Sequence, residues 1–293
     1  MIIGLKIMKK TTELAQFWRV ESLQNLEFMR ATYVNHTFPR HSHETFGIGI
    51  VEQGSVKTVQ GGTTYTIPAG SMVLFNPDEV HACGAADEVG WTYRMLYPED
   101  SLLQQVMAEI TNREQTPFFP FAAVQDYDLA RRLWQLHTAS TETGSNLMQA
   151  SYLLSMLTQL LTRYTRECPE LPIVGSETRA VTQAKDYLEA HYHENVSLEQ
   201  LAIIANLQPL RLLRAFRKQL GLPPHKYLTQ IRVIRAKHDL AQGIPISTVA
   251  IATGFADQSH LTKHFKRLVG TTPKQYALGC KNVQDNVCLN ELL

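Results

Sequence analysis

The segment LAIIANLQPLRLLRAFRKQLGLPPHKY (residues 201–227) recurs as VAIATGFADQSHLTKHFKRLVGTTPKQY (residues 249–276). Matching positions are 48 residues apart before an internal turn and 49 residues apart after it. An internal period of this length is typical of a duplicated helical module. Each copy predicts a first helix with a small residue where a partner helix crosses (Ala205, Thr253), then a short turn and a second helix rich in basic and polar residues. Two such helix-turn-helix units in tandem predict sequence-specific binding to double-stranded DNA.

Capping residues predict where these helices begin. Ser197, followed three residues later by Gln200, predicts a helix over 198–205. Pro209 is well placed as the first residue of a second helix over about 209–219, because its missing N–H costs nothing there. In the second copy Gly254 suits the end of the first helix, and Asp257 is a good N-cap for a helix to about Leu268.

The second helix of each copy carries the candidate DNA contacts. We expect Arg211 and Arg214 to face base edges, because they lie one turn apart and arginine can donate two hydrogen bonds to guanine. Between the copies, Tyr227–Leu240 contains no glycine or proline and predicts one connecting helix, with Leu228, Ile231, Ile234 and Leu240 on its apolar stripe. The remaining candidates for base or phosphate contact are Arg217, Lys218, Gln258, Ser259, His260, Thr262, Lys263, Lys266 and Arg267.

Net charge separates the two halves of the chain. Residues 1–178 carry a net charge of −6, and residues 179–280 carry +8, with 14 Lys/Arg against 6 Asp/Glu. A basic second half favours a polyanionic partner for that half alone. No apolar run approaches the ~20 residues of a membrane span, and the N-terminus lacks the features of a signal peptide, so we expect a cytoplasmic protein. The spacing of Cys83, Cys168, Cys280 and Cys288 is not that of a metal or redox motif.

Residues 28–97 predict a series of short strands. Phe46, Ile48 and Ile50 alternate with other residues in a run that we expect to end at Gly54. Val56–Val59 and Thr64–Ile67 flank Gly61-Gly62, which predicts a hairpin. Met72–Phe75 and Trp91–Tyr97 are further strands. Short strands with a turn every eight to twelve residues are typical of a barrel or sandwich.

From about Asp126 the apolar period becomes helical, with Leu129, Leu133, Leu136 and His137 on one face and a broader stripe over 147–164. This stripe packs in the core of its own chain or forms a homodimer interface. Two prolines and a glycine in Cys168–Glu177 predict a linker. We therefore expect a domain over 1–125, a helical, candidate dimerisation segment over 126–167, a linker over 168–178, a DNA-binding domain over 179–280 and a tail over 281–293.

The C-terminal repeat resembles the DNA-binding domain of AraC/XylS-type transcriptional regulators over roughly residues 180–278, most closely in GFADQSHLTKHFKR and GTTPKQY. The resemblance implies a seven-helix domain with two reader helices, in which Arg214 and Lys263 reach DNA. Leu210 and Leu213 are apolar at positions that often contact bases in that family, and Gln208 stands where a capping serine is usual. The resemblance also makes RNA polymerase a candidate partner.

Residues 30–98 resemble the cupin-like barrel fused to such DNA readers, in Phe38–Glu44, Pro68-Ala-Gly70 and Pro77–His81. The resemblance implies an effector site among Arg40, His41, His43, His81, Trp91, Tyr93 and Met95. Arg40 can hold a carboxylate. Cupin metalloenzymes use a His-x-His pair, a following Glu and a distant His, but Gly47 and Ile48 occupy the Glu positions here. We therefore favour structural or ligand-binding histidines, assign no metal or other cofactor, and leave a metal as the alternative.

These patterns together predict an α+β multidomain protein, with an N-terminal cupin-like β-barrel, a helical dimerisation segment and a C-terminal all-α domain of two helix-turn-helix motifs. The predicted function is a transcriptional regulator, not an enzyme, that responds to a small-molecule effector and reads two successive major-groove segments. We expect it to form a homodimer. Two alternatives remain open: an architectural DNA binder with a barrel that senses nothing, and a cupin metalloenzyme fused to a DNA-binding domain.

Overall fold

The computed structural model describes residues 13–142, 146–173, 175 and 177–279. Contacts divide the chain into two compact units, one of Met1–Ser140 with Tyr152–Pro172 and one of Thr141–Ser151 with Ile173–Leu293. The five-segment division expected from the sequence stays a prediction. Cys83 and Cys168 carry free thiols, and the tail over 281–293, Cys280 and Cys288 lie outside the described residues.

Antiparallel strands build the first unit. In the described residues these are β1 (Leu14–Val20), β2 (Leu26–Tyr33), β3 (Thr37–His41), β4 (Gly47–Gln60), β5 (Thr63–Pro68), β6 (Met72–Phe75), β7 (His81–Ala85), β8 (Trp91–Tyr97) and β9 (Ala123–Val124). One sheet has the order β1-β2-β8-β4-β6-β9, and β3, β7 and β5 form a second sheet with the other half of β4. Because β4 belongs to both sheets, their inner faces share one apolar core, which includes Met29, Val56, Phe75, Trp91 and Met95.

The predicted hairpin is confirmed. Strand β4 pairs with β5 from Ser55↔Pro68 to Gln60↔Thr63. Gly61 and Gly62 form the two-residue turn with φ of 57° and 78°. Two consecutive positive φ angles suit the twist of the flanking strands and are cheapest for glycine.

Gly54 does not end a strand, as the sequence led us to expect. It lies inside β4, next to a register shift between Val51 and Gln53 where β4 pairs with β8. Its φ is +70°, and a Cβ atom at this position would lie 2.0 Å from the carbonyl oxygen of Gly90. The glycine therefore permits a bend and a close backbone approach within a continuous strand.

Helical structure also begins before Asp126, where the sequence predicted its start. The helices after β8 are α1 (Asp100–Thr111), α2 (Tyr127–Ala139) and α3 (Asn146–Tyr164). Helix α1 was missed, although Leu103, Val106, Met107 and Ile110 follow a helical period and are all buried. The predicted apolar face of α2 is confirmed, since Leu129, Leu133, Leu136 and His137 are buried.

Polar contacts join α2 to the C-terminal part of α3. Arg132 donates to Ser155 at 3.0 Å, and Gln159 donates to Asp128 at 3.1 Å. Asp126, the N-cap of α2, accepts from Arg163 at 2.8 Å. The buried ring of His137 donates from Nε2 to the carbonyl oxygen of Met95 at 2.9 Å, which attaches α2 to β8.

The second unit contains seven helical segments over the described residues 177–279, as the family resemblance implies. They are α4 (Thr178–Ala190), α5 (Leu198–Ala205), α6 (Pro209–Leu220), α7 (Pro224–Ala241), α8 (Ile246–Ala252), α9 (Gln258–Val269) and a last segment over 273–279. Two predicted caps are confirmed: Ser197 accepts from the N–H of Gln200 at 3.0 Å, and Asp257 accepts from the N–H of His260 at 2.7 Å. Gln208 makes no capping hydrogen bond through its side chain.

Helix α7 connects the two copies, and Leu228 and Leu240 of the predicted stripe are buried, but the stripe is not buried throughout. Ile234 is 56% exposed, whereas Val233, Ala236 and Arg232 are buried. The Arg232 guanidinium donates to the carbonyl oxygens of Tyr192 at 2.6 Å and Glu194 at 2.7 Å. Burial lowers the pKa of Arg232 to about 10. A buried arginine satisfied by backbone oxygens thus fixes α7 against the turn between α4 and α5, a role that its residue type does not reveal.

Among the described residues, no helix combines the length and the apolar character that crossing a membrane requires.

Candidate ligand cavity and nucleic-acid interface

A cavity of about 620 Å³ lies within the first unit, between the inner faces of the two sheets. Six of the seven predicted effector residues line it: His41, His43, His81, Trp91, Tyr93 and Met95. A volume of this size is typical of small-molecule sites. The structure therefore brings together, in one cavity, residues that lie more than fifty positions apart in the chain.

Arg40 is the exception. Its side chain is exposed and is not among the residues that line the cavity. Phe38 and His41 of β3 both line the cavity although they are three residues apart, because the register of β3 shifts between them, and Arg40 lies within this shift. The predicted contact between Arg40 and a carboxylate ligand inside the cavity is therefore not supported.

Four aromatic residues that the sequence patterns did not indicate complete the wall of the cavity. Tyr33, Phe38, Phe75 and Tyr97 also line the cavity, and the Tyr33 ring lies 5.3 Å from those of Phe38 and Trp91. Burial raises the pKa of Tyr97 and of Tyr93, so both phenols stay protonated at neutral pH. Strand alternation was the available signal: Tyr97 lies two and four residues from Met95 and Tyr93, which were predicted, and so shares their face.

Three histidines converge at one side of the cavity. His41 is paired in register with His81 across β3 and β7, and the ring centroids of His41, His43 and His81 are 4.5–5.0 Å apart. The His81 ring stacks on Phe75 at 4.0 Å. Burial, with two imidazoles nearby, lowers the pKa of His43 to about 4, and burial also lowers the pKa of His81. Both rings are therefore neutral at pH 7 and offer lone pairs to a ligand.

The candidate DNA contacts of the first copy lie on α6. Arg211, Arg217 and Lys218 are exposed, and Arg214 is half-buried, which lowers its pKa by desolvation. The first turn of α6 carries no acidic residue. A helix N-terminus free of carboxylates can approach phosphates without repulsion.

Leu210 and Leu213 are not at the surface. They are 3% and 7% exposed and pack in the core of the second unit. The resemblance placed them at positions that often contact bases, but here they contribute to folding, so the arginines of α6 remain as its candidate base contacts.

The candidate DNA contacts of the second copy lie on α9. Gln258, Ser259, Lys263, Lys266 and Arg267 are exposed, whereas His260 and Thr262 are half-buried. The His260 ring packs edge-on against Phe255 at 5.4 Å and against His264 at 4.8 Å, and burial lowers its pKa. As in α6, the first turn carries no acidic residue.

Two of the candidate cations have carboxylate partners within the second unit. Arg211 donates from Nε to Glu177 at 3.0 Å, and Lys263 pairs with Glu142. Neither partner was foreseen from the sequence. A DNA phosphate or base that binds Arg211 or Lys263 must therefore displace the carboxylate that is paired with that side chain.

Comparison with known proteins gives consistent matches. The AraC-like ligand binding domain matches residues 23–157, and a helix-turn-helix domain matches residues 201–278. YbfI of Bacillus subtilis (strain 168), an uncharacterised HTH-type transcriptional regulator, is 34% identical over 237 residues, which cover 81% of this chain and 86% of that protein. RhaS of Enterobacter sp. (strain 638), an HTH-type transcriptional activator, is 27% identical, with 83% of this chain and 88% of that protein covered.

Among solved structures, the DNA-binding domain of AdpA in complex with a target DNA is 26% identical with a TM-score of 0.35, and the match covers 37% of this chain and 98% of that chain. The relative in Bacillus subtilis, the two domain matches and the duplicated helix-turn-helix geometry agree. The chain belongs to the AraC/XylS family of transcriptional regulators, with an N-terminal AraC-like ligand-binding domain followed by a helix-turn-helix DNA-binding domain.

Proposed function

We propose that this regulator responds to a small-molecule effector bound in the cavity of its first unit. The supporting observation is the cavity itself, about 620 Å³ in volume and lined by aromatic side chains and three imidazoles. Aromatic walls suit a ring or the apolar face of a sugar, and the imidazoles can hydrogen-bond to its oxygens. Effector binding changes the affinity for DNA if the two states of the protein bind the effector differently, which for such coupling is typically worth about 1–3 kcal/mol.

The DNA-binding part of the proposal assigns base contacts to Arg211, Arg214 and the first turns of α9, and phosphate contacts to the cations in the last turns of α6 and α9. Support comes from exposure and from the absence of acids in the first turns. Two readers joined by α7 would enter successive major-groove segments, about 34 Å apart. We further propose that the protein is cytoplasmic and contacts RNA polymerase, because a transcriptional regulator acts where DNA is transcribed. We propose no enzymatic activity for it.

Homodimerisation is a further part of the proposal. Tyr127 and Trp134 of α2 are 77% and 45% exposed, and large exposed aromatic groups are what a second copy would cover. Sedimentation equilibrium of the parent and of Trp134→Lys tests this. A monomer in both would reject dimerisation, and a dimer in both would reject this face.

The effector proposal is tested with the full-length chain. A thermal-shift panel of sugars, amino acids, carboxylates and aromatic compounds should contain one class that gives a saturable rise in Tm. The same compound should change the affinity for an operator selected from a random DNA pool. Tyr93→Phe should weaken the effector response, and Arg40→Ala, which changes a residue outside the cavity, should not.

Two results would reject the proposal. If no compound binds and DNA of any sequence binds equally, the chain is an architectural DNA binder. If a compound raises Tm equally in Tyr93→Phe and in variants of the histidines, the effector site lies elsewhere.

A further inference from the structure

The three cavity histidines have the arrangement of a ligand set for a metal. Each of His41, His43 and His81 offers one ring nitrogen, and these three atoms lie within 4.8 Å of one another. Register pairing between His41 and His81 across β3 and β7 determines two of the positions. His43 follows two residues after His41, so both rings can face the same side of an extended chain. The backbone itself therefore assembles the cluster.

Hydrogen bonds at the far side of two rings select the tautomer that can ligate. Nδ1 of His41 lies 2.7 Å from the carbonyl oxygen of Pro39, and Nδ1 of His81 lies 2.9 Å from that of Glu79. A carbonyl oxygen only accepts, so each Nδ1 carries the hydrogen and each Nε2 has a free lone pair. Metal-ligating histidines are oriented in this way by backbone or carboxylate partners.

Packing restricts the orientation of the His81 ring. His81 is 2% exposed and stacks on Phe75 with an interplanar angle of 14°. A ring held this way loses little conformational freedom when it ligates. His41 and His43 are half-buried and face the cavity beside it.

We propose that His41, His43 and His81 bind one divalent transition-metal ion, with an open coordination position that faces the cavity. Three imidazole nitrogens favour Zn²⁺, Co²⁺, Ni²⁺ or Fe²⁺ over Mg²⁺ and Ca²⁺, which prefer oxygen ligands. Three protein ligands leave a position free for water or for an oxygen of a molecule in the cavity. The proposal stands without the effector proposal, because the metal can be measured with no effector or DNA present.

A second group of possible ligands exists among the described residues and has to be controlled. Glu142, His260 and His264, in the second unit, also bring their ligand atoms within 4.8 Å of one another. The experiment therefore uses the full-length chain carrying His260→Gln, which removes one ligand of that group. Further variants in this background are His41→Gln, His43→Gln and, as a matched control, His36→Gln, an exposed histidine outside the cluster.

Chelator-treated protein is titrated with Co²⁺, and its visible d–d absorption is followed. The His260→Gln protein and its His36→Gln control should each bind one equivalent with an intense band typical of low coordination number. His41→Gln and His43→Gln should each weaken binding by about 100-fold or more, since even outer partners of such ligands contribute about 10–100-fold. Acetohydroxamate, a chelating oxygen probe, should change the band of bound Co²⁺ if a position is open.

X-ray absorption of the Zn²⁺-loaded His260→Gln protein gives a readout that needs no variant of the cluster. It should show imidazole scattering with Zn–N distances of about 2.0–2.1 Å. Circular dichroism confirms that the variants are folded. The proposal is overturned if the His260→Gln protein binds no stoichiometric metal, if the spectrum lacks imidazole scattering, or if folded His41→Gln and His43→Gln bind Co²⁺ as their parent does. An unchanged band with acetohydroxamate would overturn the open position.

Discussion

The ring of Phe216 meets the ring of Tyr227 edge-on, with centroids 5.6 Å apart and an interplanar angle of 69°. Phe265 and Tyr276 repeat this contact at 5.5 Å and 63°. Both phenylalanines are fully buried on the second helix of their copy. The duplication visible in the sequence is therefore also a duplication of core geometry, in which each reader helix is held by the same aromatic pair.

This repetition predicts two similar coupling energies. A double-mutant cycle with Phe216→Leu and Tyr227→Leu should give a coupling of about 0.5–1.5 kcal/mol beyond area burial. The cycle with Phe265→Leu and Tyr276→Leu should give a value in the same range. Urea unfolding followed by far-UV circular dichroism measures both. All three tryptophans, Trp18, Trp91 and Trp134, lie in the first unit, so unchanged tryptophan fluorescence controls for effects outside the second unit. A coupling near zero in either cycle contradicts the prediction.

DNA affinity should depend on one reader residue from each copy. Arg214→Ala and Lys263→Ala should each weaken binding to a selected operator by about 1–3 kcal/mol and relax specificity, because each would remove a base contact. Lys218→Ala and Lys266→Ala should weaken binding to all sequences and lower the salt dependence by about one counterion. Fluorescence anisotropy at several salt concentrations separates the two effects.

Arg179→Ala is the charge-matched control for these variants, since Arg179 is exposed on α4. It should leave specificity unchanged. Unchanged operator affinity in both Arg214→Ala and Lys263→Ala would refute the assignment of α6 and α9 as reader helices.

The parts of the fold that sequence patterns predicted are those set by local chemistry. The boundaries of α5 and α6, the caps Ser197 and Asp257 and the Gly61-Gly62 turn depend on residues within a few positions of one another. Arg232 and Gly54 were not foreseen, because their roles depend on partners that the fold brings near: the carbonyl oxygens of Tyr192 and Glu194 for one, and Gly90 for the other.

In the candidate site, too, some residues were predicted from the sequence and others depend on contacts that the fold creates. Resemblance predicted the histidines and Trp91, Tyr93 and Met95, which line the cavity, and also Arg40, which does not. The register shift of β3 between Phe38 and His41 depends on pairing with β7 and is not visible in the sequence. Phe75 lies only six positions before His81, but the stacking of the two rings depends on how β6 and β7 are placed in the fold. Helix α1 is a different case, since its apolar period was present in the sequence and was overlooked.

Gly54 should be far less tolerant of substitution than Gly61. Gly54→Ala combines a positive φ with a Cβ atom 2.0 Å from the oxygen of Gly90, so we expect the first unit to lose more than about 2 kcal/mol. Gly61→Asn, also at positive φ but with no heavy atom within 4 Å of the added Cβ, should change stability by less than about 0.5 kcal/mol, because asparagine tolerates this region. Urea unfolding followed by tryptophan fluorescence compares them. Equal losses would show that the approach of Gly90 has no consequence.

Acid should destabilise the first unit through His137. Burial, and then the nearby charge of Arg94, lower the pKa of His137 to about 3, and its buried Nδ1 has no hydrogen-bond partner within the described part of the chain. Since the unfolded side chain has a pKa near 6.5, the unfolded state binds the extra proton between about pH 6.5 and 3. The free energy of unfolding therefore falls as pH falls through this window, by up to about 1.4 kcal/mol per pH unit for one proton.

The variant His137→Gln keeps an amide donor for the carbonyl oxygen of Met95 and cannot titrate. Between pH 7 and 5.5 its unfolding free energy, measured by tryptophan fluorescence, should depend less steeply on pH than that of the parent. His36→Gln, an exposed site, should keep the parental slope. A parental slope in His137→Gln would mean that this ring does not contribute to acid sensitivity.

The ion pair between Arg211 and Glu177 should oppose DNA binding, because DNA has to replace the carboxylate. Arg211 Nε donates to Glu177 at 3.0 Å, and the arginine side chain is 56% exposed. Such a pair is worth about 0–1 kcal/mol, so Glu177→Gln should tighten operator binding by up to about fivefold. Glu199→Gln makes the same charge change at an exposed position of α5 and should produce a smaller gain. In the Arg211→Ala background the advantage of Glu177→Gln over Glu199→Gln should vanish. If that advantage persists without Arg211, the effect is one of net charge alone and Arg211 has no part in it.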